Sequence, residues 1–403
     1  MTVADLASTT LSAAVIERLE ELRLRQQSGR LCHWQRGVTE TLQRAGLGEG
    51  YTLAEWAEMP WYGPLEQWRH PGSGVSDIII NGPERDIIVV ERGNRTFTGV
   101  TLHPEWVQFV QRQLTMRAGF TTPQAPDDWR TPTGGVTHAL IGSADRRLRF
   151  AVTRPPATPD GATVSIRILP DRWRTLDDLV HQESGIMPRQ AAELLVAAVL
   201  GGATVLVAGD TGSGKTTLTA ALLQAVGEHK RVIIIEDARE LPPVADSISI
   251  EVLHSGMSFV ECVRLTLRQR PDLIVCGEVR GPEALAMLQA AATGHPGICT
   301  IHAPDVQTAL RNLERHAASS GEVPPQMVRG LMTSGAVPLV VCHVGVVNGR
   351  RTVTSIDEVI TTGGCGNVGD RYTVNPLYGF NPASGRVEKH RSTVQGAWAK
   401  GRF

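Results

Sequence analysis

Thr204-Val-Leu-Val-Ala-Gly-Asp-Thr-Gly-Ser-Gly-Lys-Thr-Thr217 decides the fold of this chain. Thr204 to Ala208 reads as a short buried strand, and Lys215 to Val226 as a helix. Between them stands a complete GxxxxGK[ST] pattern, Gly209 to Thr216. Strand, glycine loop and helix in that order form the context in which the pattern cradles phosphate. Gly209, Asp210, Thr211, Gly212, Ser213 and Gly214 would turn main-chain N–H groups inward. The first helical turn, with Lys215, Thr216 and Thr217, would add the positive end of the helix dipole. Lys215 is expected on the β/γ-phosphates and the Thr216 hydroxyl on Mg2+. The loop does not select adenine over guanine.

Outward from the loop, helices and short apolar strands alternate. Helices are expected over Pro188–Leu200, Ser258–Gln269 and Pro282–Ala292, and strands over Arg231–Glu236, Leu273–Cys276 and Gly297–His302. Such alternation predicts an α/β domain with a mostly parallel sheet. Upstream the character changes. Asp77-Ile-Ile-Ile-Asn-Gly-Pro83 and Asp86-Ile-Ile-Val-Val-Glu-Arg-Gly-Asn94 read as a hairpin. Pro104–Ala118 has helical spacing, and Arg147–Thr153 and Thr163–Ile168 read as strands. Leu11, Val15, Leu19 and Leu22 share one helical face. Every tryptophan but Trp398 precedes residue 174. The expected organisation is a helical extension over 1–65, a smaller α/β domain over 66–172, a linker over 173–187 and the phosphate-loop domain over 188–403.

Composition narrows the function. The chain has 403 residues, 41% hydrophobic and 20% charged, enough for a packed core. Lys+Arg is 40 against Asp+Glu 41, a net charge of −1, so binding through an overall basic field is not expected. Six cysteines without a CxxC pair argue against a disulfide framework or a zinc site. MTVADLASTT has no signal-peptide character, and Leu331–Asn348, interrupted by Ser334, Pro338 and His343, falls short of a span. A cytoplasmic location is expected.

A phosphate loop needs carboxylates across the sheet to position Mg2+ and the attacking water. Two strand ends offer them: Ile233-Ile-Ile-Glu-Asp237, with Glu240 close behind, and Leu273-Ile-Val-Cys-Gly-Glu-Val-Arg280. Gly277 stands where an Asp often precedes the glutamate, leaving Glu278 as the acid there. Glu236 and Glu278 are the expected acids toward metal and water.

Three further phrases carry a resemblance. Leu267–Gly281 resembles the Walker B segment of the type II/IV secretion ATPases. Ile235-Glu-Asp-Ala-Arg-Glu240 looks like their Asp box, and Thr293-Gly-His-Pro-Gly-Ile-Cys-Thr-Ile-His-Ala303 like their His box. With the phosphate loop in this order, residues of roughly 70–360 are identified with that family, nearest to its tight-adherence (Flp) pilus and conjugation-type branch. Asp77–Pro83 and Arg351–Glu358 are similar to phrases of its N-terminal domain and tail.

The resemblance implies a RecA-like ATPase, using ATP and Mg2+, that forms a homo-hexamer. It would act on an inner-membrane platform to assemble a pilus or move substrate. It further implies that Glu278 polarises the water or acts through Mg2+, that Glu236 supports the metal and water, and that His295 and His302 couple the γ-phosphate state to neighbouring strands. Arginines from the N-terminal domain reach the γ-phosphate in such proteins. Arg149, Pro155, Pro156 and Ile166-Arg167 fit their pattern, with Arg146, Arg147 and Arg154 as nearby competitors. Pro296 and Ala303-Pro304 depart from the usual His box. A motor on nucleic acid and a catalytically weak ring are the alternatives.

Overall fold

The computed structural model describes residues 73–91, 93–102, 137–142, 147–153, 158–169, 172–181, 185–237, 239–360 and 372–399, with Leu65, Trp68, Val107 and Gln111. The chain forms two compact units, Met1–Asp171 and Arg172–Phe403. Leu65 apart, the helical extension expected over 1–65 lies outside the described residues. Of the helix expected over Pro104–Ala118, Val107 and Gln111 are described and helical.

In the first unit, six strands form one antiparallel sheet: β1 (Val75–Ile80), β2 (Asp86–Glu91), β3 (Asn94–Thr101), β4 (Thr137–Gly142), β5 (Arg147–Thr153) and β6 (Thr163–Ile168). Their order is β3-β2-β1-β6-β5-β4. Strand alternation decides which side is buried. Ile78, Ile80, Leu148, Phe150, Val152, Val164, Ile166 and Ile168 line the core. The expected hairpin is β1–β2. Edge strand β3 escaped the sequence because Asn94 to Phe97 are all exposed, leaving no apolar alternation to read.

The second unit is built on a nine-stranded sheet of order β15-β14-β13-β12-β7-β11-β10-β8-β9. The strands are β7 (Thr204–Gly209), β8 (Val232–Glu236), β9 (Ser247–Glu251), β10 (Leu273–Cys276), β11 (Gly297–His302), β12 (Leu339–Val347), β13 (Arg350–Val359), β14 (Val374–Asn381) and β15 (Arg386–Lys389). From β12 to β9 every neighbour is parallel. From β12 to β15 the chain continues as antiparallel meander. β7, β8 and β10 are buried throughout, as strands covered on both faces must be.

Val205 and Val207 face helices Arg189–Leu200 and Lys215–Gly227. Leu206 and Ala208 face helices Phe259–Thr266, Glu283–Ala292 and Val306–Ala318. Local chemistry sets the helix starts. Ser258 and Glu261 close a capping box on helix Phe259–Thr266. Asp305 accepts from the Thr308 N–H at the start of helix Val306–Ala318.

The segment expected as a linker folds with this unit. Thr175 caps a short helix, Leu176–Val180, and Leu179, Ile186 and Met187 are buried in the core. Those three apolar side chains give it a place in the core, where a linker would stay solvated. Among the described residues no helix is long and apolar enough to cross a membrane.

Candidate nucleotide site at the carboxyl edge of the parallel sheet

Strand order brings the site together. β11 lies between the phosphate-loop strand β7 and the acidic strand β10, with β8 beyond. The residues leaving their carboxyl ends are therefore neighbours, as ligand sites in open α/β sheets require.

Gly214, at φ 108°, precedes helix Lys215–Gly227 without any side-chain cap. The first helical bond there runs from Leu218 N–H to Gly214 O, so the N–H groups of Lys215, Thr216 and Thr217 have no helical acceptor. Thr216 and Thr217 are half-buried, Ser213 is buried, and Asp210, Thr211 and Gly212 are exposed. Ser213 Oγ is buried with no hydrogen-bond partner. Gly209 is dictated by close approach: a Cβ there would meet Val344 O at 2.2 Å.

Lys215 is buried, and its Nζ donates to Gly209 O at 2.9 Å and Asp210 O at 3.0 Å. It also lies 3.3 Å from His302 Nδ1. On the other side of the ring, His302 Nε2 stands 3.0 Å from Glu278 Oε1. Glu278 Oε2 is held by Arg280, whose other terminal nitrogen donates to Asp237 Oδ2 at 3.1 Å. Lys215, His302, Glu278, Arg280 and Asp237 thus form one continuous polar chain across β7, β11, β10 and β8.

Electrostatics follow this arrangement. Burial pushes the Lys215 ammonium below its ordinary pKa, against the pull of Glu278 and Asp210. Burial, then the Lys215 charge, lowers His302, which is neutral at pH 7 and suited to accept at Nδ1 and donate from Nε2. Burial pushes the Glu278 carboxyl up. The hydrogen bond and charge of Arg280, with His302 and Lys215 behind, outweigh that and hold it below its usual range.

Glu236 does not join this chain. It is the last residue of β8, on the same face as Ile234, and burial pushes its carboxyl up to about 8. Its oxygens accept the N–H groups of Glu240 and Leu241 at 3.1–3.2 Å. With its oxygens taken up by main chain, Glu236 stands apart from the metal-facing place expected of it. Asp237, one residue on and past the strand end, is the Asp-box acid that reaches Arg280. Gly277 is explained by the same packing: a Cβ there would lie 3.0 Å from Glu236 Cγ.

His295 is also elsewhere. It precedes β11, whereas His302 ends it, and the strand between spans about 17 Å. Its Nδ1 lies 3.3 Å from Thr293 Oγ1 at the amino edge of the sheet, away from the loop. In the first unit, Arg149 and Arg167 are register partners on β5 and β6, and Arg167 also pairs in register with Asp77 on β1. Arg167 Nε donates to Asp77 Oδ1 at 2.9 Å.

Sequence reasoning passed over two further residues. One is Arg280, whose spacing of two from Glu278 hints at the pair. Arg351 Nε donates to Gly212 O at 3.0 Å across 139 residues of chain, which no local pattern announces.

The site fits a nucleoside triphosphate with magnesium. An uncapped helix start, a buried hydroxyl without a partner and the cationic side chains of Lys215 and Arg351 surround the glycine loop. Magnesium is held largely through phosphate oxygens, one hydroxyl and few carboxylates, which Thr216, Glu278 and Asp237 can supply.

Residues 73–366 match the family described as Type II/IV secretion system protein. A putative conjugal transfer protein of Mycobacterium tuberculosis, Rv3659c, is 33% identical over 261 residues, 62% of this chain and 71% of that protein. The conjugal transfer protein TrbB of Rhizobium radiobacter is 31% identical over 263 residues, 61% of this chain and 80% of that protein. Among solved structures, the Legionella pneumophila ATPase DotB aligns with a TM-score of 0.51 at 20% identity, over 72% of this chain and 77% of its own. The pilus retraction motor PilT with bound ADP aligns with a TM-score of 0.52 at 22% identity, over 72% and 80%. Those two share the fold, RecA-like, as the sequence implied. This chain belongs to the type II/IV secretion system protein family.

Proposed function

We propose that the chain is an ATP-hydrolysing motor, working as a homo-hexamer on an inner-membrane platform of a secretion or pilus-assembly machine. The observation that carries this reading is the polar chain from Lys215 through His302 to Glu278. It joins the group that grips the terminal phosphates to the carboxylate that addresses water. Glu278, kept ionised, would orient the attacking water. As the water oxygen bonds to the γ-phosphorus it gives up a proton to the Glu278 carboxylate, and the β–γ bridging oxygen leaves with its electron pair toward Lys215 and the loop N–H groups. Thr216, with Glu278 and Asp237, would hold magnesium, which would supply further charge neutralisation on the phosphates. By the family resemblance alone, Arg149 and Arg167 are assigned to the developing γ-phosphate charge.

The test is ATP turnover by the purified chain. Wild type should hydrolyse ATP, and Lys215→Ala should lose nucleotide binding. A folded wild type without affinity for any nucleoside triphosphate would overturn the reading. The names of the M. tuberculosis and R. radiobacter relatives favour conjugation as the setting over an Flp pilus. Stimulation of turnover by DNA would mark a motor acting on nucleic acid. Its absence leaves the platform-protein reading, which the near-zero net charge supports.

A further inference from the structure

The β12–β13 hairpin flanks the phosphate loop on the side away from the catalytic acids. β12 pairs with β7 as far as His343 opposite Ala208, and Val344 to Val347 run on beyond, by about 13 Å. Val344 O closes against Gly209, and His343 Nε2 bonds Ala303 O at 3.1 Å. The antiparallel return brings Arg351 opposite Val346. Its Nε reaches Gly212 O, and its Cδ lies 3.5 Å from where a Gly214 Cβ would stand.

The orientation of a bound nucleotide follows from the strand order. Glu278 and His302 occupy the β11–β10 side of β7, so the γ-phosphate must lie toward that side to meet its water. The nucleotide then extends across the glycine loop toward β12, and the diphosphate passes the flank that Arg351 occupies. A guanidinium offers five N–H donors in a fixed fork that matches phosphate oxygens. One donor is spent on Gly212 O, and among the described residues no carboxylate pairs with Arg351.

We propose that Arg351 is a nucleotide-binding residue that contacts the diphosphate portion common to ADP and ATP. Resting on the nucleotide-site reading above, it assigns the hairpin to affinity and product retention, with the chemical step left to the opposite flank.

The experiment uses the full chain with Arg351→Gln and Arg351→Lys, measuring Mg–ADP affinity by calorimetry and steady-state ATP turnover. Arg351→Gln should weaken ADP binding about tenfold or more and raise KM for ATP in parallel, as for a lost charge-assisted hydrogen bond. At saturating ATP, kcat should keep more than half its value. Arg351→Lys should recover most of the ADP affinity. If the arginine only braced the loop through its bond to Gly212 O, lysine would be as poor as glutamine. Unchanged ADP affinity in Arg351→Gln, or lysine as poor as glutamine, overturns the proposal. So does a loss of kcat with affinity intact. Ligand-free melting of both variants is compared with wild type, and a variant that melts early is judged on the other. If wild type itself fails to bind ADP, the nucleotide-site reading falls too. Normal wild-type binding with an unaffected Arg351→Gln removes only the role of Arg351.

Discussion

The Nε2 of His302 lies 3.0 Å from the Oε1 of Glu278, bridging the strand ends of β11 and β10. The bond needs β11 to lie between the phosphate-loop strand and the acidic strand, which the sheet order provides.

Glu278→Gln keeps the size of the side chain and removes its charge. Nucleotide affinity should stay within a few-fold of wild type while kcat falls by about 10²–10⁴, the range for loss of a positioned base. Single-turnover measurement checks this, and wild-type turnover would remove Glu278 from the chemistry.

His302→Ala cuts the link between Lys215 and Glu278 and should lower kcat at least about tenfold. The wild-type ring, held below its ordinary pKa by burial and by Lys215, stays neutral as pH falls below about 6.5. Any acid limb of kcat/KM due to this ring should therefore lie below that value. A limb above it would contradict the neutral bridge.

Gly277→Ala places a methyl group 3.0 Å from Glu236 Cγ and should destabilise the fold by about 1–3 kcal/mol, as overpacking does. Adding Glu236→Ala should relieve part of that cost, so the two substitutions should combine non-additively in a denaturation cycle. Strict additivity would disprove the contact.

Glu236 has a folded pKa raised to about 8 by burial, above its ordinary unfolded value near 4.3. The folded state binds the extra proton, so this group favours folding at low pH. That stability is lost as pH rises from about 4.5 to 8, with a slope approaching 1.4 kcal/mol per pH unit. Glu236→Gln should flatten the wild-type decline across that window. Parallel pH profiles of urea unfolding for the two proteins would refute the raised pKa.

The phosphate loop and the alternating strands were legible because each is local: Leu273–Cys276 and Gly297–His302 have the bounds their apolar runs suggested. The choice between Glu236 and Asp237 was not, since it turns on which face the last residue of β8 takes. His295 and His302 look alike in sequence, but strand direction sends them to opposite edges of the sheet. The β13–β15 meander mixes polar and apolar residues at the sheet margin, where half-exposed strands lose their signature.

The placement of β12 also bears on the order in which the protein is made. β7 stays an edge on that side until Leu339–His343 pairs with it, more than a hundred residues after Gly209 leaves the ribosome. A nascent chain released before that pairing exposes an apolar, hydrogen-bond-hungry strand beside an unfinished glycine loop. Premature termination upstream of residue 339 should thus give an aggregation-prone polypeptide, not a smaller working enzyme.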